Sequence, residues 1–162
     1  MYYELSPFFY KDINFCQEQN GIYTIEKIED KFKEYDILPT IGDMVVSQKF
    51  VDTFKELINK KIEINPIIIQ DEKLQKLHGF FALKVLKQIS CMDKQNSKYT
   101  IKKYGKSEFY RITKLVLDTQ NIKNESIFLM EEQKGKTIVN QGFKDRCEEL
   151  KGFDFEVLEV KK

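Results

Sequence analysis

The sequence predicts an α+β fold in which a mixed, mostly antiparallel sheet is covered by two related helices. Three observations support this fold class: apolar residues alternate over strand-length segments, two short segments are amphipathic at helical spacing, and a strand-helix-strand pattern occurs twice. A length of 162 residues with 41% apolar and 13% aromatic residues suffices for one packed core. We therefore expect a single domain over residues 1–162, with 1–40 as an N-terminal extension.

The first strand-helix-strand unit lies near the middle of the chain. Residues 44–46 are typical of a short strand, Ser47 of an N-cap, and 48–59 of a helix with one apolar stripe. Residues 62–69 alternate strictly at first and end in three isoleucines, as a strand does when it passes into a core. Pro66 has no backbone donor, so it indicates an edge position or a bulge in this strand.

The second unit lies near the C-terminus. Residues 137–139 lead to Asn140 as a cap, then to a helix over 141–150 and a strand over 153–160, with Gly152 ending the helix. Aligned with each other, the two helical segments share Val, Gln, Phe, Asp, Glu and Leu in register. We interpret them as copies of one unit. The alternative is that two short amphipathic helices selected the same residues independently.

The remaining segments add strands and one ambiguous connector. The aromatic-rich residues 1–23 predict one or two strands. Residues 25–36 carry apolar side chains at spacings of three and four, which fits either a short amphipathic helix or a solvated connector. Three apolar runs of strand length, at 79–86, 109–117 and 126–130, complete the predicted sheet.

Composition is typical of a soluble protein from a reducing compartment. The 27 Lys and Arg nearly cancel the 26 Asp and Glu, so the net charge of +1 gives no global signal for nucleic acid. Three cysteines at wide spacing match neither a disulfide framework nor a zinc motif. The N-terminus lacks a basic region before an apolar run, and no segment approaches the ~20 apolar residues of a membrane span. We expect a cytoplasmic protein without membrane contact.

The sequence offers little material for catalysis. His78 is the only histidine, and we interpret it as a turn or surface residue at the start of a predicted strand. The glycines form neither a phosphate loop nor a nucleophile elbow, and adjacent carboxylates are interpreted as solvated charge. We predict no catalytic residue, no metal ligand and no cofactor. The alternative is an enzyme that pairs His78 with Cys91 or Cys147.

The segment 94–114 is locally basic, and aromatic residues separate its cations. Basic and aromatic residues together can bind nucleic acid, so a nucleic-acid-binding module that uses this segment is an alternative function. The same alternation is also typical of the solvent face of an antiparallel strand. The cations are Lys94, Lys98, Lys102, Lys103, Lys106, Arg111 and Lys114, and the aromatic residues are Tyr99, Tyr104, Phe109 and Tyr110.

Four stretches in order resemble a bacterial family, the immunity proteins of polymorphic toxin systems in the groups numbered eleven and forty-three. The first is a valine, serine and aromatic start of a helix, the second a strand followed by an aspartate and a serine-containing turn. The third and fourth are a strand pair and the C-terminal helix start with its closing glycine and aromatics. The stretches are 44–50, then 79–86 with 91–93 and 97–99, then 115–118 with 127–129, and finally 138–143 with 152–155.

The resemblance covers the chain from about residue 44 to its end, and it implies a function in binding. Such a protein is non-catalytic: it binds and neutralises a cognate toxin, encoded by a neighbouring gene, in the bacterial cytoplasm. Asp93, Ser97 and Tyr99 match the family motif and are candidate contacts with this partner. The alternative is that Asp93 and Ser97 cap a turn through hydrogen bonds to the backbone. Homodimer formation through exposed strand edges is a further alternative.

Overall fold

The computed structural model describes residues 1–7, 15–40, 43–105 and 107–161. In these residues two short α-helices, α1 (Gln48–Thr53) and α2 (Gln141–Arg146), and three 3-10 helices, Asp30–Glu34, Lys55–Leu57 and Thr119–Asn121, accompany fifteen strands. The strands are β1 (Tyr2–Pro7), β2 (Phe15–Gln19), β3 (Ile22–Ile25), β4 (Ile37–Leu38), β5 (Met44–Ser47), β6 (Ile62–Asp71), β7 (Lys76–Val85), β8 (Gln88–Ile89), β9 (Lys98–Tyr104), β10 (Ser107–Lys114), β11 (Val116–Leu117), β12 (Ile127–Met130), β13 (Thr137–Asn140), β14 (Phe153–Val157) and β15 (Glu159–Val160).

The chain divides into two compact units. The first unit comprises Met1–Leu5, Lys87–Asp145 and Phe155–Lys162, and the second comprises Ser6–Leu86 and Arg146–Asp154. Residues 1–40 supply strands to the sheets of both units, since β1 pairs with β13 and β3 pairs with β6. The expectation that 1–162 form one domain stays a prediction.

The described strands form four sheets, which differs from the single sheet expected. A six-stranded sheet has the order β2-β3-β6-β7-β5-β4, and a five-stranded sheet has the order β14-β1-β13-β12-β8. Two further sheets contain only two strands each, β9 with β10 and β11 with β15. Parallel pairs occur at β3–β6, β8–β12 and β11–β15, whereas the other pairs with a known register are antiparallel. The mixed, mostly antiparallel pairing is therefore as predicted.

Each α-helix begins at the predicted cap but is shorter than predicted. The Ser47 hydroxyl accepts a hydrogen bond from the Phe50 amide at 3.2 Å, and the Asn140 side-chain oxygen accepts one from the Phe143 amide at 2.9 Å. The first helix ends at Thr53 rather than residue 59 because the chain tightens into a 3-10 turn before β6. The second ends at Arg146 rather than residue 150, and Gly152 lies beyond it with φ +94°.

Each α-helix joins two strands that lie on either side of one other strand of the same sheet. The strands around α1 are β5 and β6, with β7 between them, and those around α2 are β13 and β14, with β1 between them. Both strands flanking β7 are antiparallel to it. The helices thus belong to different sheets rather than to one shared sheet. The two α-helices therefore connect their flanking strands in the same way, as duplication of one strand-helix-strand segment would produce. The duplication itself stays a prediction.

Pro66 lies in β6, which is an interior strand of the six-stranded sheet. The prediction that Pro66 lies in an edge strand is therefore wrong. The pairing of β6 with β3 begins only at Ile68, so in the described register Pro66 pairs on one side, with Phe81 of β7. The register shifts between Ile67 and Ile69 as well. The predicted bulge is present, and a missing backbone donor costs little where one side is unpaired.

Each unit has its own apolar cluster. In the second unit, buried side chains from the six-stranded sheet pack with Phe32 of the first 3-10 helix, which is the only helical turn in residues 25–36 as described. In the first unit the cluster centres on Phe128, Met130 and Ile138, and Tyr99, Tyr110 and Ile112 pack against it. None of the described helices is long and apolar enough to cross a membrane.

Candidate partner-binding surface

The strands β9 and β10 form an antiparallel hairpin in the first unit. Their register pairs Ser107 with Tyr104 and runs to Thr100 opposite Arg111 and Tyr99 opposite Ile112. The turn begins at Gly105, whose φ of +60° is a conformation that favours glycine. Most side chains of both strands are exposed. The hairpin therefore offers surface rather than core.

One face of this hairpin is fixed to the body of its unit. Side chains alternate between faces along a strand, and directly paired residues share a face, so Tyr99, Ile112 and Tyr110 lie together. All three pack against the apolar cluster around Phe128. The rings of Tyr99 and Tyr110 lie 5.5 Å apart. These contacts hold the base of the hairpin in place.

The opposite face, which we call the outer face, consists of exposed side chains. Tyr104 is 66% exposed and Phe109 is 54% exposed, and their rings meet edge to face with centroids 5.8 Å apart. Lys102 lies directly opposite Phe109. Between the turn and the register shift at Ile112 and Lys114, the outer face comprises Thr100, Lys102, Tyr104, Ser107, Phe109 and Arg111.

The cations of the outer face form no ion pair within the described residues. Lys103 pairs with Glu108 at 3.0 Å, but both belong to the face that points the other way. Lys102 and Arg111 have no ion pair in the part of the chain that the structure describes. The outer face therefore combines two aromatic rings with Lys102 and Arg111, and aromatic residues and arginine are enriched at protein interfaces.

Asp93 and Ser97 form a compact turn next to the hairpin. The Asp93 carboxylate accepts hydrogen bonds from the Gln95 amide at 2.9 Å, the Asn96 amide at 3.3 Å and the Asn96 side chain at 2.7 Å. The Ser97 hydroxyl accepts from the Val116 amide at 2.9 Å. The Asp93 side chain is only 3% exposed. These bonds are those of the turn-capping alternative, and contact of Asp93, Ser97 and Tyr99 with a partner stays a prediction.

Changing Asp93 to asparagine is expected to lower the melting temperature at pH 7. The pKa of Asp93 is held below its ordinary value of 3.8, first by the Asn96 side-chain hydrogen bond and then by the backbone amides and Lys161. Because the folded state favours the charged form, its contribution to stability is complete above pH 3.8 and is lost as the pH falls through the folded-state pKa. Thermal melting curves recorded from pH 7 to pH 2 give the melting temperatures of the wild type and the Asp93→Asn variant.

The difference between wild type and the Asp93 variant is therefore expected to shrink below about pH 4. Asp145→Asn is the control, since Asp145 is an exposed carboxylate of the same unit. A difference that persists unchanged at pH 2 would contradict the role of the charged form.

The residues of the enzyme hypothesis are an exposed histidine and two buried thiols. His78 is an exposed residue of β7, as predicted for a surface histidine, and it borders an open groove of about 530 Å³ with Ser47, Lys49 and Lys151. Burial raises the pKa of the Cys91 thiol to about 12, and burial does the same for Cys147. A thiol with such a pKa is scarcely ionised at neutral pH, so it is a poor nucleophile.

No group of three or more His, Cys, Asp or Glu side chains is placed to hold a metal ion among residues 1–7, 15–40, 43–105 and 107–161. The side chain of Cys16 lies outside the described residues. The features that stand out are therefore the aromatic rings and cations of the hairpin. Sequence reasoning named these residues as a segment, but it missed their separation into two faces. The signal for that separation was the tight turn at Gly105, which sets the register.

The described residues thus form a mixed sheet structure with two short helices and an exposed hairpin that is rich in basic and aromatic side chains. Residues 18–160 match the sequence model of the Immunity protein family (Imm11), and the chain belongs to that family. The match starts well before residue 44, so the family's sequence pattern includes part of the first forty residues. Comparison with curated protein sequences gave no match.

Proposed function

We propose that this protein is an immunity protein that binds and neutralises a cognate bacterial toxin and performs no chemistry itself. The observation that carries the proposal is membership of the Immunity protein family (Imm11) across residues 18–160. The two buried thiols with raised pKa values agree with a role in binding rather than in catalysis. The exposed rings of Tyr104 and Phe109 supply the apolar anchors that a protein interface needs.

The proposed partner is a toxin of a polymorphic toxin system, encoded by the gene next to this one. The toxin would be made by the same cell or by a sibling, and the complex would form in the cytoplasm. A neutralising protein needs a rigid scaffold, a central apolar contact and complementary charge. The hairpin fixed on the cluster around Phe128 meets the first requirement.

Co-expression with the product of the adjacent gene is expected to rescue growth. Cells that express the adjacent gene alone should stop growing, and cells that express both genes should grow, because the complex blocks the toxin. The purified proteins should elute together as a stoichiometric complex. A toxin from an unrelated system is the control, since it should remain toxic in the presence of this protein. Persistent toxicity of the adjacent gene product without complex formation would reject the proposed function.

A nucleic-acid-binding module remains the second candidate because the hairpin is basic. The 98–114 segment contains six Lys or Arg residues and one carboxylate, Glu108. Single-stranded binders, however, stack bases on free aromatic faces. Here Tyr99 and Tyr110 pack against the apolar cluster, so only Tyr104 and Phe109 among these four aromatic residues are exposed. The geometry therefore favours a protein partner.

A further inference from the structure

We infer that the outer face of the β9–β10 hairpin is the surface that contacts the toxin, and that it fits an acidic protein surface with an apolar centre. This inference rests on the proposed function and deepens it by naming the interface and the chemistry of its partner. The alternative candidates Asp93, Ser97 and Tyr99 lie at the base of the same hairpin, where their side chains make internal contacts.

The first argument is charge. The segment 98–114 holds six of the chain's 27 Lys and Arg but only one of its 26 Asp and Glu. The chain as a whole carries only +1, so positive charge is concentrated on this hairpin. On the outer face Lys102 and Arg111 have no ion pair among the described residues, whereas Lys114 pairs with Glu159 at 2.8 Å. Two cations without an ion pair on one small surface attract a partner of opposite charge and raise the association rate.

The second argument is the pair of exposed rings. Tyr104 and Phe109 lie side by side on the outer face, with the cation of Lys102 across from Phe109. Tyrosine, phenylalanine and arginine are enriched at interfaces, and a tyrosine or phenylalanine ring buries a large area while only two side-chain torsions become ordered. The partner's contact surface should therefore place apolar side chains against the rings and carboxylates around them.

The third argument is rigidity. A hairpin whose strands were free on both faces would pay an ordering cost on binding. Here one face is held by Tyr110 and Ile112 against the apolar cluster, so the outer face is already arranged. A second copy of this chain is a poor occupant, because symmetric pairing of outer faces would bring Lys102 and Arg111 of both copies together.

Reversing the two charges of the outer face is expected to weaken toxin binding by about 10- to 100-fold. The probe is the purified product of the adjacent gene, and the variant is Lys102→Glu with Arg111→Glu in the full chain. Most of the loss should appear in the association rate, and raising the ionic strength should slow association of the wild type more than of the variant. Surface plasmon resonance at several salt concentrations measures both quantities.

The matched control is Lys60→Glu with Lys76→Glu. These two lysines are exposed residues of the other compact unit, they have no ion pair among the described residues, and their reversal changes the net charge equally. Binding of this control within about twofold of wild type is expected. An equal loss in both double variants would show a general charge effect and overturn the assignment of the surface.

A second variant tests the rings without changing charge. Phe109→Ala is expected to weaken binding by at least about tenfold while the melting temperature stays unchanged, because Phe109 is exposed. Val157→Ala is its control, since Val157 is an equally exposed apolar strand residue of the same unit. Full binding by both Phe109→Ala and the Lys102, Arg111 variant would overturn the inference.

The outcomes separate the inference from the proposed function. If wild type rescues growth and the outer-face variants rescue equally well at matched expression, the function stands and this surface is not the interface. If wild type neither binds nor rescues, the proposed function fails, and the inference fails with it. Binding of the wild type to single-stranded oligonucleotides at low salt, abolished by the charge reversal, would assign the same surface to nucleic acid instead.

Discussion

Replacing Phe50 by alanine is expected to lower the free energy of unfolding by about 3–5 kcal/mol, the largest effect anticipated for a single substitution here. Phe50 is fully buried in the second unit. Its ring stacks on Phe153 at 5.7 Å and lies 4.7 Å from the ring of Phe54. Alanine would remove these contacts and leave a cavity that the rings of Phe54 and Phe153 cannot readily fill. Urea denaturation followed by circular dichroism measures the loss.

Phe109→Ala is the matched control for the Phe50 variant. It removes the same side chain from an exposed position, and its expected change in stability is within about 0.5 kcal/mol. The two variants should therefore separate stability from binding, since only Phe50→Ala unfolds easily and only Phe109→Ala loses affinity for the toxin. Similar midpoints of denaturation for Phe50→Ala and wild type would show that Phe50 is not a core residue.

Replacing Asp36 by alanine is expected to lower the free energy of unfolding by about 2–3 kcal/mol. Asp36 is 8% exposed, and its carboxylate accepts hydrogen bonds from the Ser47 hydroxyl at 2.5 Å and the Lys151 amide at 2.8 Å. The backbone adds two bonds, from the Asp36 amide to the Lys151 carbonyl and from the Ser47 amide to the Asp36 carbonyl. One carboxylate therefore ties the cap of α1 to the segment that precedes β14.

The loss in the Asp36 variant arises because alanine removes a buried acceptor and leaves the Ser47 hydroxyl and the Lys151 amide without this partner. Asp52→Ala is the control, because Asp52 is an exposed carboxylate of the same unit that accepts one hydrogen bond from Gln48. It should change stability by less than about 0.5 kcal/mol. Equal stabilities of the two variants would show that the Asp36 bonds make no net contribution.

Local sequence signals predicted the helix caps at Ser47 and Asn140 and the strand over 79–86, which depend on residues that are close in the chain. The single strands predicted over 109–117 and 153–160 are wrong, because the structure divides the first into β10 and β11 and the second into β14 and β15, and the members of each pair lie in different sheets. Such signals report backbone hydrogen bonding and the periodicity of apolar side chains. They also carried enough of the family's pattern for the immunity resemblance to be found.

Contacts between distant residues decided the rest of the fold. The same strands could pair in many orders, and alternation alone does not say whether they form one sheet or four. Pro66 looked like an edge residue, but the partial overlap of β3 with β6 gives it one unpaired side inside a central strand. The helices were predicted too long because their apolar residues continue past Thr53 and Arg146, where the backbone turns toward the next strand.

The sequence by itself determined that strands are combined with two short helices, that these helices start after Ser47 and Asn140, and that residues 94–114 are basic and aromatic. Only the tertiary structure decided which of those side chains are exposed to solvent and can contact a partner. The register of β9 with β10 places Tyr99, Tyr110 and Ile112 on one face, and packing against a cluster from other parts of the chain covers that face. The alternation of side chains along a strand gives the hairpin two faces, but packing against distant residues determines which face is exposed to solvent.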